Sequence, residues 1–346
     1  MAENSAISWT RHTWNPWMGC TKISPACDGC YAEALIDRRL GKAQWGNHPR
    51  IRTGKHTWND PFRWQRQAEK DGDRPFVFCA SLADIFDNQV DPQWRADAFD
   101  VMRRTPNLVY LLLTKRPQNI VKLSAAAGGI PQNAAIGTTV EDQKRADINV
   151  PELLDASLEL WRAKTRPLFN FLSCEPMLGP IDLTDFPFDP YSTGNAGYRI
   201  DALRGKIFLP LGSNDLTPGH IVGEREYVGL CHRIQWVITG GETDQGGHAA
   251  RPTHPDWLKG LRDQCAAARV AFHHKQNGEY LPEDWFDKDG FQWQAGIDCP
   301  KVHRFADGVA CIRVGKKQSG RKLDCVTYDA FPKVSPTTTT GGEPHG

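Results

Sequence analysis

Residues 9–31 read WTRHTWNPWMGCTKISPACDGCY and hold three cysteines, Cys20, Cys27 and Cys30, in the spacing C-x6-C-x2-C. Thiolate sulfur is a soft ligand that suits zinc ions and iron–sulfur clusters. The glycines and prolines of the stretch let the backbone bend around one such centre. Three sulfurs fill three of the four positions of a tetrahedral or cubane centre. The fourth ligand is therefore exogenous, a distant side chain, or His12.

Two kinds of metal centre are compatible with this stretch. A structural zinc ion is normally enclosed by four protein ligands, a set that His12 would complete. A cubane iron–sulfur cluster held by three cysteines would keep one iron open to a substrate or cofactor. A disulfide framework fits less well, because three clustered cysteines cannot pair among themselves. The spacing predicts a metal loop and leaves the metal open.

The rest of the chain alternates short apolar runs with helical patterns. Apolar residues recur at helical spacing over residues 31–40, so the cysteine stretch leads into a helix. Six further strands are predicted, with another short one around residues 7–14. The six are 76–80, 108–114, 134–140, 167–176, 234–241 and 270–276. This alternation indicates a parallel α/β sheet, either a (βα) barrel, complete or partial, or an open doubly wound sheet.

The predicted domain organisation follows from where the alternation stops. Residues 1–282 are expected to form the barrel, interrupted by an insertion at about residues 182–232. That insertion is either a lid or substrate-selecting element, or a peripheral decoration. Residues 283–332 are predicted to be a C-terminal extension, and residues 333–346 a disordered low-complexity tail.

The composition restricts the class of protein. The 346 residues include 42 basic and 41 acidic ones, so the net charge of +1 gives no global argument for nucleic-acid or membrane binding. The N-terminus lacks the apolar run of a signal peptide, and no stretch is apolar enough to span a membrane. The ten cysteines of such a chain are expected to be reduced thiols and metal ligands, in a cytoplasmic protein.

Polar side chains follow the six apolar runs at the same relative position. In parallel α/β folds, ligands bind outside the carboxyl ends of the strands. Six such positions that converge on one rim predict a binding site. The candidate residues are Ser81, Asp84, Lys115, Arg116, Thr138, Glu141, Glu175, Glu242 and Lys275.

Residues 42–75 are polar and rich in tryptophan. Cations and aromatic rings alternate within them. Such a pattern is compatible with a surface on which nucleic-acid bases stack. The simpler interpretation is that these residues form a solvated loop and the exposed face of a helix. The residues concerned are Lys55, His56, Trp58, Arg63, Trp64 and Arg66.

The opening run, WTxxTWNPxxGCxxxSxxCxxCYA, resembles a phage and prophage family of unknown function that is named for its three-cysteine motif. That family is itself similar to radical S-adenosylmethionine (SAM) enzymes. The resemblance spans about residues 8–282. Its later motifs are SLADIFD at 81–87, LLTKRP at 112–117, GTTVED at 137–142, SCEPMLGPI at 173–181, GGETDQGGHAARP at 240–252 and HKQNGE at 274–279.

The resemblance implies a partial (βα) barrel in which Cys20, Cys27 and Cys30 bind a [4Fe–4S] cluster whose open iron takes SAM. Reductive cleavage of SAM would give a 5′-deoxyadenosyl radical that acts on an unknown substrate. The phage association suggests a nucleic acid or a nucleotide, and the host cytoplasm as location. A flavodoxin or ferredoxin would supply the electron. The alternative is a non-catalytic zinc- or cluster-binding protein that binds nucleic acid or a protein partner.

The sequence departs from the commonest radical-SAM pattern around the cysteines. That pattern is C-x3-C-x2-C, whereas three extra residues stand between Cys20 and Cys27. An aromatic residue usually precedes the last cysteine. In this chain Gly29 precedes it and Tyr31 follows it.

A second departure concerns the run GGE at residues 240–242. It looks like the radical-SAM motif that binds the SAM amino group, but that motif usually follows the second strand, where Ser81 and Asp84 stand. Cys79 and Cys174 lie close to the same rim. They are predicted to be buried thiols, with a hydrogen-atom donor or a fourth cluster ligand as alternatives.

Overall fold

Seven parallel strands form the central sheet, and each is paired with its neighbours in chain order. The structure is a computed structural model, and it describes residues 2–187, 199–208, 232–285 and 301–334. A two-residue strand, Ala2–Glu3, pairs antiparallel with the first of the seven. The seven are β1 (His12–Trp14), β2 (Phe76–Cys79), β3 (Val109–Thr114), β4 (Ala134–Thr139), β5 (Asn170–Cys174), β6 (Ile234–Gly240) and β7 (Ala271–Gln276).

This strand order excludes the doubly wound alternative, in which the order reverses at a switch point. The sheet winds in one direction and its edges approach each other. The Ser8 hydroxyl, just before β1, lies 2.9 Å from Nε2 of His273 on β7. In a flat sheet β1 and β7 would be roughly 29 Å apart, at about 4.8 Å per strand. The sheet is therefore curled into a partial (βα) barrel, which confirms the predicted fold class.

Alternate residues of each strand point into and out of this barrel. The inner face forms an aromatic cluster that includes Trp9, Phe78, Phe171 and Trp236. A Cβ on Gly137 of β4 would lie 2.6 Å from the Phe171 ring, so the barrel interior requires a glycine there. Because both faces of the sheet are buried, its strands are almost continuously apolar.

Helices connect the strands and cover the outer face of the sheet. The pattern predicted over residues 31–40 is a short α-helix, Tyr31–Glu33, followed by a π-helix, Ala34–Arg39. The other described helices of eight residues or more are α1 (Lys55–Asp71), α2 (Pro92–Arg103), α3 (Gln143–Arg162) and α4 (Pro255–Ala268). The shorter ones are Pro25–Cys27, Pro117–Asn119, Ile120–Ala126, Glu283–Trp285 and Lys316–Ser319.

Smaller sheets lie beside the barrel. Strands Phe186–Pro187, Arg199–Asp201 and Lys206–Phe208 belong to the predicted insertion, most of which lies outside the described residues, as does most of the predicted tail 333–346. Strands Tyr280–Pro282, Val302–Arg304 and Ala310–Arg313 form a second antiparallel sheet. Two-stranded pairs join Trp17–Met18 with Ile51–Arg52, and Lys322–Leu323 with Val326–Thr327.

Two tryptophans of residues 42–75, Trp58 and Trp64, pack against the sheet. Trp64 on α1 is buried, and its ring stacks on His12 with 4.4 Å between centroids. Trp58 packs edge-on against Trp14 at 5.6 Å. These two rings therefore pack against the sheet, in line with the helix-face alternative, and the binding of nucleic acid at this region stays a prediction. No helix of the described chain is long and apolar enough to cross a membrane.

Candidate functional site

The cysteine loop, residues 15–30, begins where β1 ends and lies over the carboxyl end of the sheet. Asn15 attaches its start to the segment after β2: its amide donates to the Ser81 hydroxyl at 3.0 Å, and its carbonyl oxygen accepts from the Leu82 N–H at 2.7 Å. The Gly19 N–H donates to the Leu82 carbonyl at 3.1 Å. The loop is thus fixed to the neighbouring strand before the first cysteine.

Two buried arginines hold the middle of the loop. Arg50 donates to Asp87 at 2.8 Å and to the Thr21 hydroxyl at 2.9 Å. Arg116, after β3, donates to Asp84 at 2.8 Å, to the Thr21 carbonyl at 2.9 Å and to the Cys20 sulfur at 3.6 Å. Each arginine is paired with a carboxylate, which offsets the cost of its burial. Arg116 alone of the two contacts a cysteine.

A third arginine holds the far end of the loop. Arg251 donates to the Pro25 carbonyl at 2.9 Å, lies 3.5 Å from Asp28, and makes a two-point contact with Glu242 at 2.8 and 2.6 Å. Burial acts to raise the pKa of Glu242, but the hydrogen bonds from Arg251 outweigh it and leave that pKa lowered. Glu242 is therefore an ionised anchor for the loop.

The unusual glycine before the last cysteine has a steric reason. A Cβ on Gly29 would lie 2.9 Å from Oε1 of Glu242 and 2.8 Å from Cδ2 of His248. No aromatic side chain fits there while Glu242 holds this position. Tyr31 reaches to the adjacent strand end, and its hydroxyl donates to the Ser81 carbonyl at 2.5 Å.

A cavity of about 840 Å³ opens beneath the loop at the carboxyl ends of the strands. Its volume lies within the roughly 300–1,000 Å³ that is usual for small-molecule sites. All three cysteines line it, together with seven of the nine residues predicted at the strand ends. The seven are Ser81, Asp84, Lys115, Arg116, Glu175, Glu242 and Lys275.

The two other predicted residues lie outside the cavity lining. Thr138 points out of the barrel and donates to the Thr114 carbonyl at 2.8 Å, while Thr139, one residue later, lines the cavity. Glu141 is almost fully buried, and its carboxylate lies 3.9 Å from Nε of Arg145 without a hydrogen bond. Strand alternation explains the position of Thr138, whereas Glu141 lies two residues beyond the end of β4.

The run at residues 240–242 has a structural explanation. A Cβ on Gly241 would lie 2.0 Å from the Asn277 carbonyl oxygen, and one on Gly240 would lie 3.0 Å from the Glu175 carboxyl carbon. These glycines let the loop after β7 and the Glu175 side chain approach β6. Lys275 contacts Glu175 at 2.5 Å, so a complementary pair of charges lies in the cavity.

Two of the three cysteine sulfurs accept a hydrogen bond from an N–H group. Arg116 donates to Cys20 and the Ile23 amide donates to Cys27 at 3.4 Å, while the first amides of the following helix act to lower the pKa of Cys30. Burial raises the pKa of Cys20 to about 11, against the opposing effect of Arg116, and burial also raises the pKa of Cys30. N–H donors at sulfur are a recurring feature of protein-bound iron–sulfur clusters.

The remaining candidates for the metal do not reach the cavity. Cys79 and Cys174 are fully buried and outside its lining, and burial raises the pKa of both thiols. His12 packs under Trp64 on the outer face of the sheet. Within the described ranges no three His, Cys, Asp or Glu side chains are gathered around one point as a single metal ion requires. In a cubane cluster each cysteine binds a different iron.

The structure thus defines an α/β partial barrel with a cysteine loop over a polar cavity. The chain belongs to the family described as a protein of unknown function (DUF5131), whose model matches residues 4–332. No curated protein matches it.

Several solved structures of spore photoproduct lyase are similar to the chain. A cysteine-to-serine mutant is 10% identical, with a TM-score of 0.38, and the match covers 92% of this chain and 72% of that one. A complex with dinucleoside spore photoproduct is 9% identical, with a TM-score of 0.37 and the same coverage. A double mutant with bound AdoMet and dinucleoside spore photoproduct is 9% identical, with a TM-score of 0.36, covering 88% and 68%. The strand order of the described sheet, rather than these similarities, carries the assignment of the fold.

Proposed function

We propose that the protein is a radical-SAM-like iron–sulfur enzyme. Cys20, Cys27 and Cys30 would hold a [4Fe–4S] cluster, and the cavity beside them would take SAM. The observation that carries the proposal is that the three cysteines line one cavity with complementary charges at the carboxyl end of a parallel barrel. When bound, the two cofactors would supply reductive cleavage of SAM to a 5′-deoxyadenosyl radical.

The donor set around the cysteines supports a cluster. The sulfurs of Cys20 and Cys27 have N–H donors, and Arg116 places a positive charge beside Cys20, where negative charge accumulates when thiolates bind iron. Arg50 and Arg251 fix the loop from opposite sides, so the three sulfurs keep their places before a metal binds. The chain itself contributes three sulfurs that line one cavity and the hydrogen bonds that hold their loop.

The acidic candidates for SAM binding differ in how accessible they are. The side chains of Asp84 and Glu242 are 6% and 3% exposed and engaged by arginines, which makes them structural. Glu175 is 17% exposed and its partner Lys275 is 23% exposed. An ammonium beside Glu175 and a carboxylate beside Lys275 would match the charges of an amino acid. We therefore assign the methionine end of SAM to this pair.

The proposed reaction needs an electron from outside the chain, for which a flavodoxin or ferredoxin is suitable. The substrate would enter the same cavity, within reach of the radical. A nucleic acid or a nucleotide is the proposed substrate class, and the unpaired cations that line the cavity support it.

The test uses cysteine variants of the full chain. Cys20→Ala, Cys27→Ala and Cys30→Ala, purified and reconstituted without oxygen, are expected to lose the iron and sulfide of the wild type together with SAM cleavage by dithionite. Cys79→Ala, a buried thiol outside the cavity, is the matched control and is expected to keep both. SAM cleavage retained in the three variants would refute the proposal, and so would one zinc and no iron in the wild type.

A further inference from the structure

The acidic groups that line the cavity are all neutralised by partners. Asp84 pairs with Arg116, Glu175 with Lys275, and Glu242 with Arg251. The fixed negative charge of the cavity is therefore matched within the protein itself. Any cation beyond these pairs gives the cavity a net positive field.

Three such cations line the cavity: Arg39, Lys115 and Lys316. In the part of the chain that the structure describes, none of their side chains forms an ion pair, and we call them the free cations. They come from three separate segments, namely the π-helix after the cysteine loop, the end of β3 and the C-terminal extension. Lys115 lines the cavity together with Cys30, so unpaired positive charge lies in the cavity that the cysteines share.

An aromatic side chain lies in the same lining. Trp45 is half-buried, and its backbone N–H donates to the Asp37 carboxylate at 2.7 Å, which fixes the segment that follows the π-helix. The π-helix itself packs on the loop after β6, where Arg38 donates to the Gly246 carbonyl at 2.8 Å. Such π-helical segments are frequent at functional sites. One indole, on a segment held at its backbone, and three unpaired cations thus line a single cavity.

SAM does not account for these cations. It carries one carboxylate against an ammonium and a sulfonium, and the Glu175–Lys275 pair already matches its amino-acid end. A further anionic molecule would be attracted by the field, whereas a cationic substrate would be repelled. Cations around a groove together with an aromatic ring are the usual means of binding single-stranded nucleic acid.

We infer that the mouth of the cavity binds single-stranded nucleic acid, with phosphates at Arg39, Lys115 and Lys316 and a base stacked on Trp45. As a statement about the substrate, this rests on the proposed function, because it names what would meet the radical. A strand with unpaired bases fits, since a base must leave its stack to enter a cavity.

The inference is tested by fluorescence anisotropy with a labelled oligothymidylate over a series of salt concentrations. Three phosphate contacts predict a slope of log K against log salt of about −2. The triple variant Arg39→Ala/Lys115→Ala/Lys316→Ala is expected to lose about tenfold or more in affinity and most of the slope. Trp45→Ala should weaken binding about tenfold with the slope unchanged, and Trp45→Phe should retain binding.

The matched control removes three exposed cations from α1: Lys55→Ala/Arg66→Ala/Lys70→Ala. It changes the net charge by the same amount on the other basic face, and it is expected to bind as the wild type does. Equal losses in the two triple variants would overturn the inference, because the attraction would then be non-specific. Duplex DNA bound as tightly as the single strand would overturn it as well. Thermal unfolding checks that each variant is folded.

Binding is measured without SAM and without reductant, so its failure is separate from that of the proposed function. Iron with SAM cleavage but no oligonucleotide binding would refute the inference alone. The protein could instead contain zinc without iron and still bind the oligonucleotide through the free cations. That result would refute the radical chemistry and support the inferred binding site.

Discussion

The two ends of the barrel carry cavities of nearly equal size and different linings. The cavity at the carboxyl end, about 840 Å³, is lined by three thiols, paired carboxylates and free cations. The one at the amino end, about 880 Å³, is lined by the segments that lead into β1, β2 and β3 and by Phe331. The Phe331 ring packs 5.4 Å from Trp236, at the base of the barrel core. Volume therefore does not identify the site, whereas the grouping of reactive and charged side chains does.

The difference between the two ends indicates that the amino end contributes to stability and the carboxyl end to function. At the amino end, the indole N–H of Trp236 donates to the Ala330 carbonyl at 2.9 Å, so the C-terminal extension closes the base over an aromatic core. At the carboxyl end, arginine–carboxylate pairs hold a loop that leaves thiols facing a cavity. Changes at the base should alter folding free energy, and changes at the top should alter metal and ligand binding.

The largest effect is expected from Trp236→Ala. Removing a fully buried indole from the barrel core should lower the free energy of unfolding by about 4 kcal/mol. Trp161→Ala, at a position 51% exposed on α3, should cost about 0.5 kcal/mol or less. Chemical denaturation measures both. If the amino end serves stability alone, the Trp236→Ala protein that remains folded should keep the wild-type iron content. A loss of iron at unchanged stability would contradict this assignment.

The next effect is a dependence of stability on pH. His274, fully buried on β7, has its pKa lowered from 6.5 to about 4 by burial. Below pH 6.5 the unfolded chain therefore binds a proton that the folded chain does not. The free energy of unfolding should fall between pH 6.5 and 4, by up to about 3 kcal/mol from this residue.

The His274 contribution is isolated by comparing the wild type with His274→Gln in acid-dependent denaturation. The variant should show a flatter pH dependence than the wild type in that interval. Parallel curves for wild type and His274→Gln would show that the residue does not titrate as stated.

Glu175→Gln tests the ligand side of the comparison. Loss of its charge should weaken SAM binding about 30-fold, in line with roughly 2 kcal/mol for a hydrogen bond to a charged group. Iron content should stay unchanged, because Glu175 does not contact the cysteine loop. Equilibrium dialysis with reconstituted protein measures the affinity. Glu159→Gln on the exposed face of α3 is the control, and an equal loss there would remove the assigned role of Glu175.

The smallest expected effect concerns Arg116. Lysine at this position keeps a charge for Asp84 but cannot also donate to the Cys20 sulfur and the Thr21 carbonyl. Loss of the hydrogen bond to sulfur should lower the midpoint potential of the cluster by about 60 mV, the equivalent of about 1.4 kcal/mol for one electron. Arg50→Lys is the control, because Arg50 holds the same Thr21 without contacting a cysteine. Potentiometric titration followed by EPR would show equal shifts in both variants if Arg116 acted only through loop structure.

Much of the fold follows from local sequence patterns. Runs such as residues 108–114 are apolar on both faces, which predicts buried parallel strands, and each predicted strand exists. Because both faces of such a strand are apolar, the sequence pattern does not show which residues point into the barrel. Thr138 and Thr139 are both hydroxyl residues in a fully buried strand, so the sequence alone does not say which one reaches the cavity.

The candidate site was predictable where residues follow strand ends and unpredictable where distant segments fold over it. Lys115 and Lys275 belong to the first kind. Arg39, Trp45 and Lys316 belong to the second, because only the tertiary structure brings their segments to the same opening. The steric role of Gly29 likewise depends on Glu242, more than two hundred residues later.

The most direct test of the central claim is one assay on anaerobically reconstituted wild-type protein. Iron, sulfide and zinc are quantified, and SAM and dithionite are then added while 5′-deoxyadenosine is followed. The account predicts about four irons and four sulfides per chain, no zinc, and 5′-deoxyadenosine formed only with both additions. One zinc without iron, or a full cluster that never cleaves SAM, would contradict it.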